Sequence, residues 1–426
     1  MLSPEEVRED IPFLKKYVYF DNGATTPVPR PVQEAMLGYF NDYLANIERG
    51  AYSVAHHADE MYEKARENAA RLLLNASPEE FIFTRNLTQG ANIVAYALEH
   101  PLLTTTNEKF GPQEPLIKWE EGDRIIGTVL EHHSNTMPWI RLSVRVGARF
   151  EIVPPGEDML LSPDIFAEKV DRKTKLVVFQ HVSNALGSIH PVKEITRAIK
   201  DVNPECLVFV DGSQGPGHMP VDVKEIGCDF YGFSGHKGPL GPQGTGGLYV
   251  REGLIEKMEP MEVGGGMMAD VTENTYKIRA DRPAKKFDAG TPNIVGMIGL
   301  GRAAEYVAKD IGLENIDGRE RFLAGKIIEG IKDLPGIEIY GPAKLENRGG
   351  VVAFNVEGWR CHDISAALDQ EWKILTRSGH HCCLPLSRYL GILEKYGGSA
   401  RASVGYYNLE DEVKLFVEAM ETLTEA

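Results

Sequence analysis

Short apolar runs rich in β-branched residues recur along the chain between longer amphipathic stretches. Residues 80–84 (EFIFT), 124–130 (RIIGTVL), 149–154 (RFEIVP), 175–181 (KLVVFQH), 206–211 (CLVFVD) and 246–250 (GGLYV) read as buried strands. Helical periodicity fills several of the gaps, in VQEAMLGYFNDYL, DEMYEKARENAARLLL and VKEITRAIKD. This alternation predicts an α/β fold: a mostly parallel central sheet with helices on both faces. After about residue 295 the pattern changes. Two helical stretches, near 296–311 and 315–333, precede the short segments IEIYGP, GVVAFNVEG, WKILTRSG and RASVGYY, and a helix closes the chain from about 409. These predict a second, smaller α+β domain. The polar, proline-containing stretch 101–122 is expected to be a long surface loop.

The 426 residues are 42% hydrophobic and 25% charged, ordinary values for a globular protein large enough for two domains. A formal net charge of −16 argues against nucleic-acid or anionic-membrane partners, which require a basic surface. The first residues, MLSPEEVREDIPFLKK, are too acidic for a secretory leader, and the longest apolar run, IVGMIGL, is far too short to span a bilayer. A cytoplasmic protein is expected. The five cysteines (206, 228, 361, 382, 383) are odd in number and irregularly spaced, so they do not read as a disulfide framework.

In open parallel sheets, ligands collect beyond the carboxyl ends of the strands. Strand 80–84 leads to Thr88 and Gly90 before a helix, a place suited to a phosphate or to simple capping. Strand 124–130 leads to His132 and His133, strand 175–181 to Asn184, and strand 206–211 ends in Asp211, with Gln214 close behind. The last piece is FYGFSGHKGPLGPQGTGG, in which Lys237 stands among seven glycines. A phosphate-binding GxxxxGK[ST] loop is excluded because Gly238 follows the lysine. A GxGxxG nucleotide turn is excluded because Pro239 and Pro242 block immediate helix entry. An acid, a stacking ring, an amide, hydroxyls and a lysine along one sheet edge suit a phosphorylated aromatic cofactor held as a Schiff base.

The stretches YFDNGATTPVP, EHHSNTMPW, HVSNALGS, VDGSQGPGHMPVDV, CDFYGFSGHKGPLGPQGTGGLYV, FDAGTPN, RSGHHCCLPL and RASVGYYN occur in family order over nearly the whole chain. They resemble the SufS-type (group II) cysteine desulfurases, fold-type I, class V aminotransferase-like enzymes that use pyridoxal 5'-phosphate (PLP). The resemblance implies a large PLP-binding domain, 18–294, and a small domain formed by 1–17 and 295–426. It implies that Lys237 holds PLP, Asp211 pairs with the ring nitrogen, Gln214 bonds the ring hydroxyl and His132 stacks on the ring. Thr88, Ser234 and His236 would hold the phosphate, joined by Thr291 from a second subunit of a homodimer. Asn184, Arg377 and Arg401 would hold the substrate, and an arginine fork suits a carboxylate.

RSGHHCCLPL has three readings from its residues. Metal binding needs ligands wrapped tetrahedrally, which contiguous residues do poorly, and no CxxC pair is present. A buried structural pair is the second reading. The third is a nucleophilic thiolate favoured by the preceding histidines. The family resemblance places Cys382 at the nucleophile position, and Cys383 where a small residue is usual. Catalysis would then rest on Lys237, Cys382 and His132, converting L-cysteine to L-alanine with a persulfide on Cys382 for a sulfur-acceptor protein, as in iron–sulfur cluster assembly. A selenocysteine lyase, another class V C–S lyase or epimerase-like enzyme, and a non-catalytic scaffold are the alternatives. Three departures from the family stand out: Tyr52 in RGAYS where a histidine is usual, the long segment 101–122, and a longer span from Cys382 to Arg401.

Overall fold

The computed structural model describes residues 1–425. Its centre is a seven-stranded sheet ordered 81–84, 246–250, 230–234, 207–211, 174–180, 124–128, 149–153. All neighbours are parallel except that 246–250 runs antiparallel to both of its partners. Six strands therefore point their carboxyl ends to one edge. Except for the edge strand 149–153, which was expected to be buried and is partly exposed, the strands are buried on both faces, which is why their sequences are continuous apolar runs. One apolar cluster lies on each face of the sheet, and a third fills the C-terminal part.

The C-terminal part contains an antiparallel sheet ordered 337–340, 351–356, 399–403, 377–379, packed under helices Leu313–Ile331 and Glu410–Glu425. The N-terminal residues contact it through Arg8, which pairs with Glu412 at 2.8 Å and donates to the carbonyl of Tyr407, while Val7, Ile11 and Leu14 pack in the cluster that covers one face of the central sheet. Segment WKILTRSG divides in two. Ile374–Leu375 pairs in parallel with Val18–Tyr19, and only Arg377–Gly379 joins the antiparallel sheet. The helix expected over 296–311 runs as α-helix from Ile294 to Glu305 and then widens into a π-helical stretch to Ile311. No helix is long and apolar enough to cross a membrane among the described residues.

The expected loop at 101–122 is a correction. Leu103–Thr106 and Lys109–Pro112 form a hairpin turned at Asn107 and Glu108, both with positive φ. It packs on a second hairpin, 268–278, through Thr105 Oγ1 donating to the Tyr276 carbonyl at 2.7 Å and through the Phe110 and Tyr276 rings. The buried carboxylate of Glu259 accepts the Leu103 N–H at 2.8 Å.

One buried ion pair organises the region before the second helical stretch. Arg66 is 2% exposed, lies over the rings of Tyr62 and Phe83, and pairs with Asp288. Removing one partner leaves the other charge buried alone. Arg66→Ala is expected to cost about 3–5 kcal/mol, read as a lowered denaturant midpoint.

Candidate active site

The glycines around Lys237 serve close backbone packing. A Cβ at Gly238 would lie 2.4 Å from the Pro216 carbonyl oxygen, and one at Gly217 (φ +82°) 2.1 Å from the Gly238 carbonyl carbon. The lysine turn therefore sits backbone to backbone on the loop that follows Asp211. Thr26 secures it from a distant segment: its N–H donates to the His236 carbonyl and its hydroxyl to the Lys237 carbonyl, each at 2.8 Å.

The carboxyl-edge residues surround a single cavity. Lys237, Asp211, His132 and Gln214 line its inner part. Burial lowers the Lys237 ammonium to about 8, against the pull of Asp211 in the opposite direction. Asp211 is buried and its carboxyl is raised by desolvation, with one oxygen accepting the Ser213 N–H at 2.8 Å. Desolvation, followed by the Lys237 charge, lowers His132 to about 3, so its ring is neutral at physiological pH. Its Nδ1 accepts the Ser134 N–H at 3.0 Å. Gln214 donates its amide to the Gly23 carbonyl at 2.7 Å, leaving its Oε1 as the free acceptor.

Thr88, Ser134, Ser234 and His236 line a second part of the cavity, at the start of helix Leu87–Glu99. The cap of that helix is Asn86, whose side chain accepts the Gln89 N–H, so the Thr88 hydroxyl is not used for capping. Thr88 Oγ1 lies 2.7 Å from Ser134 Oγ, and Ser234 Oγ accepts the Leu87 N–H at 3.2 Å. Hydroxyls at a helix N-terminus form an anion cradle.

Arg377, Arg401, Asn184 and His381 form the third part. Arg377 and Arg401 face each other in register across antiparallel strands. Arg401 is 1% exposed, ion-paired to Asp21 at 2.8 Å and bonded to the Asn184 carbonyl. One carboxylate, paired to Arg401, against two guanidinium groups leaves positive charge in excess, which a bound carboxylate would balance.

The cysteine loop meets this part through His381, while Cys382 and Cys383 lie outside the lining. Cys382 is partly exposed and Cys383 buried. Burial pushes the Cys383 thiol well above its ordinary range, and its S–H donates to Asn184 Oδ1 at 3.3 Å. Asn184 Nδ2 donates to the His381 carbonyl at 2.9 Å, so this side chain, expected to hold substrate, also ties the loop. Neither neighbouring histidine bonds the Cys382 thiol. His380 Nδ1 accepts the Cys382 main-chain N–H, and His381 Nε2 lies 3.0 Å from the carbonyl and hydroxyl oxygens of Ser399. The two imidazoles expected to favour the thiolate make their hydrogen bonds to the Cys382 main chain and to Ser399. Among the described residues no group of three His, Cys, Asp or Glu side chains converges as a metal site.

Thr291 is exposed, and its hydroxyl lies 3.3 Å from Asn46 Nδ2, outside the lining of its own chain's cavity. Tyr52 is 56% exposed at the N-terminus of helix Ser53–Leu74, also outside the lining. Glu131 was not singled out in the sequence, and His133 was named there without a role. Both sit in the EHH motif, which is the signal that points to them. Burial pushes the Glu131 carboxyl up to about 8, against hydrogen bonds from Thr128 and Asn135 and from the Gln180 N–H.

The donor set matches PLP by its chemistry. A buried acid with an oxygen to spare suits a protonated ring nitrogen, a neutral imidazole suits a ring face, and the hydroxyl cradle suits a phosphate. The buried Gln180 Nε2 in the cavity lining has no protein partner. A family model described as class V aminotransferase matches residues 18–416. The chain belongs to this family, among the cysteine desulfurases. It is 41% identical to a probable cysteine desulfurase of Pyrococcus abyssi, over 100% of this chain and 99% of that protein. A cysteine desulfurase of Escherichia coli is 35% identical over 99% of this chain and 98% of its own length. The apo structure of a cysteine desulfurase from Thermococcus onnurineus superposes with a TM-score of 0.90 at 41% identity, covering 100% of this chain and 99% of that one. PLP is the cofactor of this family member.

Proposed function

We propose that the cavity converts L-cysteine to L-alanine, with Lys237 and Cys382 as the reacting protein groups. The observation that carries this reading is the lining of one cavity: Lys237 with Asp211, and the Arg377–Arg401 pair together with His381, the residue before Cys382. PLP, when bound, supplies the electron sink that makes the substrate Cα–H acidic.

Asp211 keeps the ring nitrogen protonated, the neutral His132 ring stacks on the ring, and Gln214 Oε1 accepts from the ring hydroxyl. Thr88, Ser234 and His236 hold the phosphate, with Thr291 of a second subunit completing the cradle. The site is then finished only in a homodimer. Arg377 and Arg401 hold the substrate carboxylate in the low-dielectric cavity, with Asn184 beside them. Lys237, with its amine lowered to about 8, takes and returns the Cα proton near neutral pH. The Cys382 thiolate attacks the substrate sulfur. The Cβ–S bond breaks with its electron pair left on carbon, and protonation there completes alanine. In sum, Cys382–SH and L-cysteine give Cys382–S–SH and L-alanine. A sulfur-acceptor protein then unloads Cys382.

The group II assignment rests on EHHSN and RSGHHCC, and the five free cysteines support a cytoplasmic setting. We read the chain as a large domain, 18–294, and a small one made of 1–17 and 295–426, supported by the Arg8 contacts to Glu412 and Tyr407.

The test is turnover of L-cysteine by the PLP-loaded protein, with alanine and sulfide measured and the persulfide located by peptide mass. Persulfide on the Cys382 peptide is the expected result. No alanine above a protein-free control would refute the reading. Cys383→Ala separates the two thiols. Because Cys383 is buried and its S–H is shared between Asn184 Oδ1 and the His381 carbonyl, the variant is expected to keep its persulfide on Cys382. Its turnover is expected to fall by no more than about ten-fold, the loss coming through Asn184 orientation.

A further inference from the structure

Cys382 lies in a conformation that needs external support. It and His381 have φ of +59° and +47°, successive left-handed positions for residues that carry a Cβ. On its N-terminal side the loop is tied through His381, whose carbonyl accepts from Asn184 and whose imidazole meets Ser399. On the C-terminal side helix Leu384–Tyr389 begins, and its first N–H groups have no intrahelical acceptor.

His133 supplies support on both counts. Its main-chain N–H donates to the Cys382 carbonyl at 2.7 Å, and its imidazole Nε2 accepts the Leu384 N–H at 3.2 Å. The two bonds bracket Cys383 and hold the chain on the far side of the reactive thiol. A ring nitrogen that accepts in this way carries no proton, so the His133 proton is on Nδ1.

The position of His133 gives the clamp its meaning. It directly follows His132, the ring proposed to stack on PLP, in the short turn His133–Asn135. That turn is fixed from beneath by buried Glu131, which takes hydrogen bonds from Thr128, Asn135 and the Gln180 main chain. One rigid turn is thus the reference for both the stacking ring and the sulfur nucleophile.

We propose that His133 is the positioning residue of the nucleophile loop, holding the Cys382 thiol in register with the ring that His132 covers. The inference rests on the reading of Cys382 as nucleophile. A small displacement of a reacting atom is costly in rate while leaving substrate binding intact.

The test uses the full-length, PLP-loaded protein and the variants His133→Ala and His133→Gln. Three quantities are read: kcat and KM for alanine formation, the cofactor absorbance, and the rate of Cys382 alkylation by iodoacetamide followed by peptide mass. In His133→Ala we expect kcat to fall about ten-fold, KM to stay within about two-fold, and alkylation to rise several-fold as the loop loosens. Absorbance is expected to be unchanged. Gln Oε1 can take over the Leu384 N–H, so His133→Gln is expected to recover most of both losses. Wild-type kcat and alkylation rates in His133→Ala would overturn the proposal, as would a His133→Gln no better than His133→Ala. If His133→Ala does not fold, His133→Gln decides alone: values within about three-fold of wild type support the clamp, and a ten-fold loss of kcat overturns it. Failure of the nucleophile reading is separately visible, as turnover retained by Cys382→Ala, because the alkylation rate reports the loop's hold whichever thiol reacts.

Discussion

Lys237→Ala is expected to remove the visible absorption of the PLP-loaded protein and to lower alanine formation by about 10³-fold or more. The lysine has two tasks, to hold the cofactor aldehyde and to carry the Cα proton, and no other cavity residue can take over both. His132 and His236, lowered to about 3 and about 4, are neutral rings near neutral pH, and no ring or guanidinium supplies a primary amine for the aldehyde. The same burial sets a pH dependence for loading. Only the unprotonated amine attacks an aldehyde, and the free-base fraction of a group near 8 rises with pH through that value. The rate of PLP uptake by the apo protein should therefore climb from pH 6.5 and level above about pH 9, rather than continue toward the ordinary lysine range. Retained absorbance in Lys237→Ala, or uptake still climbing steeply past pH 10, would remove Lys237 from this role.

Much of this site was legible in the sequence for a simple physical reason. A parallel sheet buried on both faces needs uninterrupted apolar strands, and the polar residue that ends each run marks the edge where ligands bind. Asp211, Asn184, His132 and Lys237 each follow such a run, and the fold brings all four to one cavity. The hairpin at 103–112 was not legible. Its stability comes from contacts with residues 268–278 and from Glu259, and a polar segment gives no local sign of partners so far along the chain. The role of the histidines beside Cys382 was hidden for a different reason. Adjacency in sequence puts imidazoles next to a thiol on paper, but consecutive left-handed residues turn the side chains apart. His381 goes to Ser399, and His380 to the main chain. Direction, not proximity, decides what a side chain can do.

Cys382→Ala is expected to leave the cofactor absorbance in place and to abolish persulfide, with sulfide and alanine release down about 10³-fold or more. The separation follows from geometry. The groups proposed to hold the cofactor, among them Lys237, Asp211, His132 and Thr88, line the cavity, whereas Cys382 lies just outside the lining, next to His381, on a loop fastened by main-chain bonds. Loss of one side chain from that loop leaves those bonds intact. The neighbouring thiol will not rescue the variant. Cys383 is 0% exposed, its proton is donated to Asn184, and burial disfavours the thiolate that would have to attack. A chemical probe gives the same ordering, because iodoacetamide should modify Cys382 and spare Cys383 in the folded protein. Substrate should still bind to Cys382→Ala, since Arg377 and Arg401 are untouched, and L-cysteine should still perturb the cofactor spectrum. Full turnover in this variant, or persulfide found on Cys383, would show that the sulfur leaves the substrate by another route.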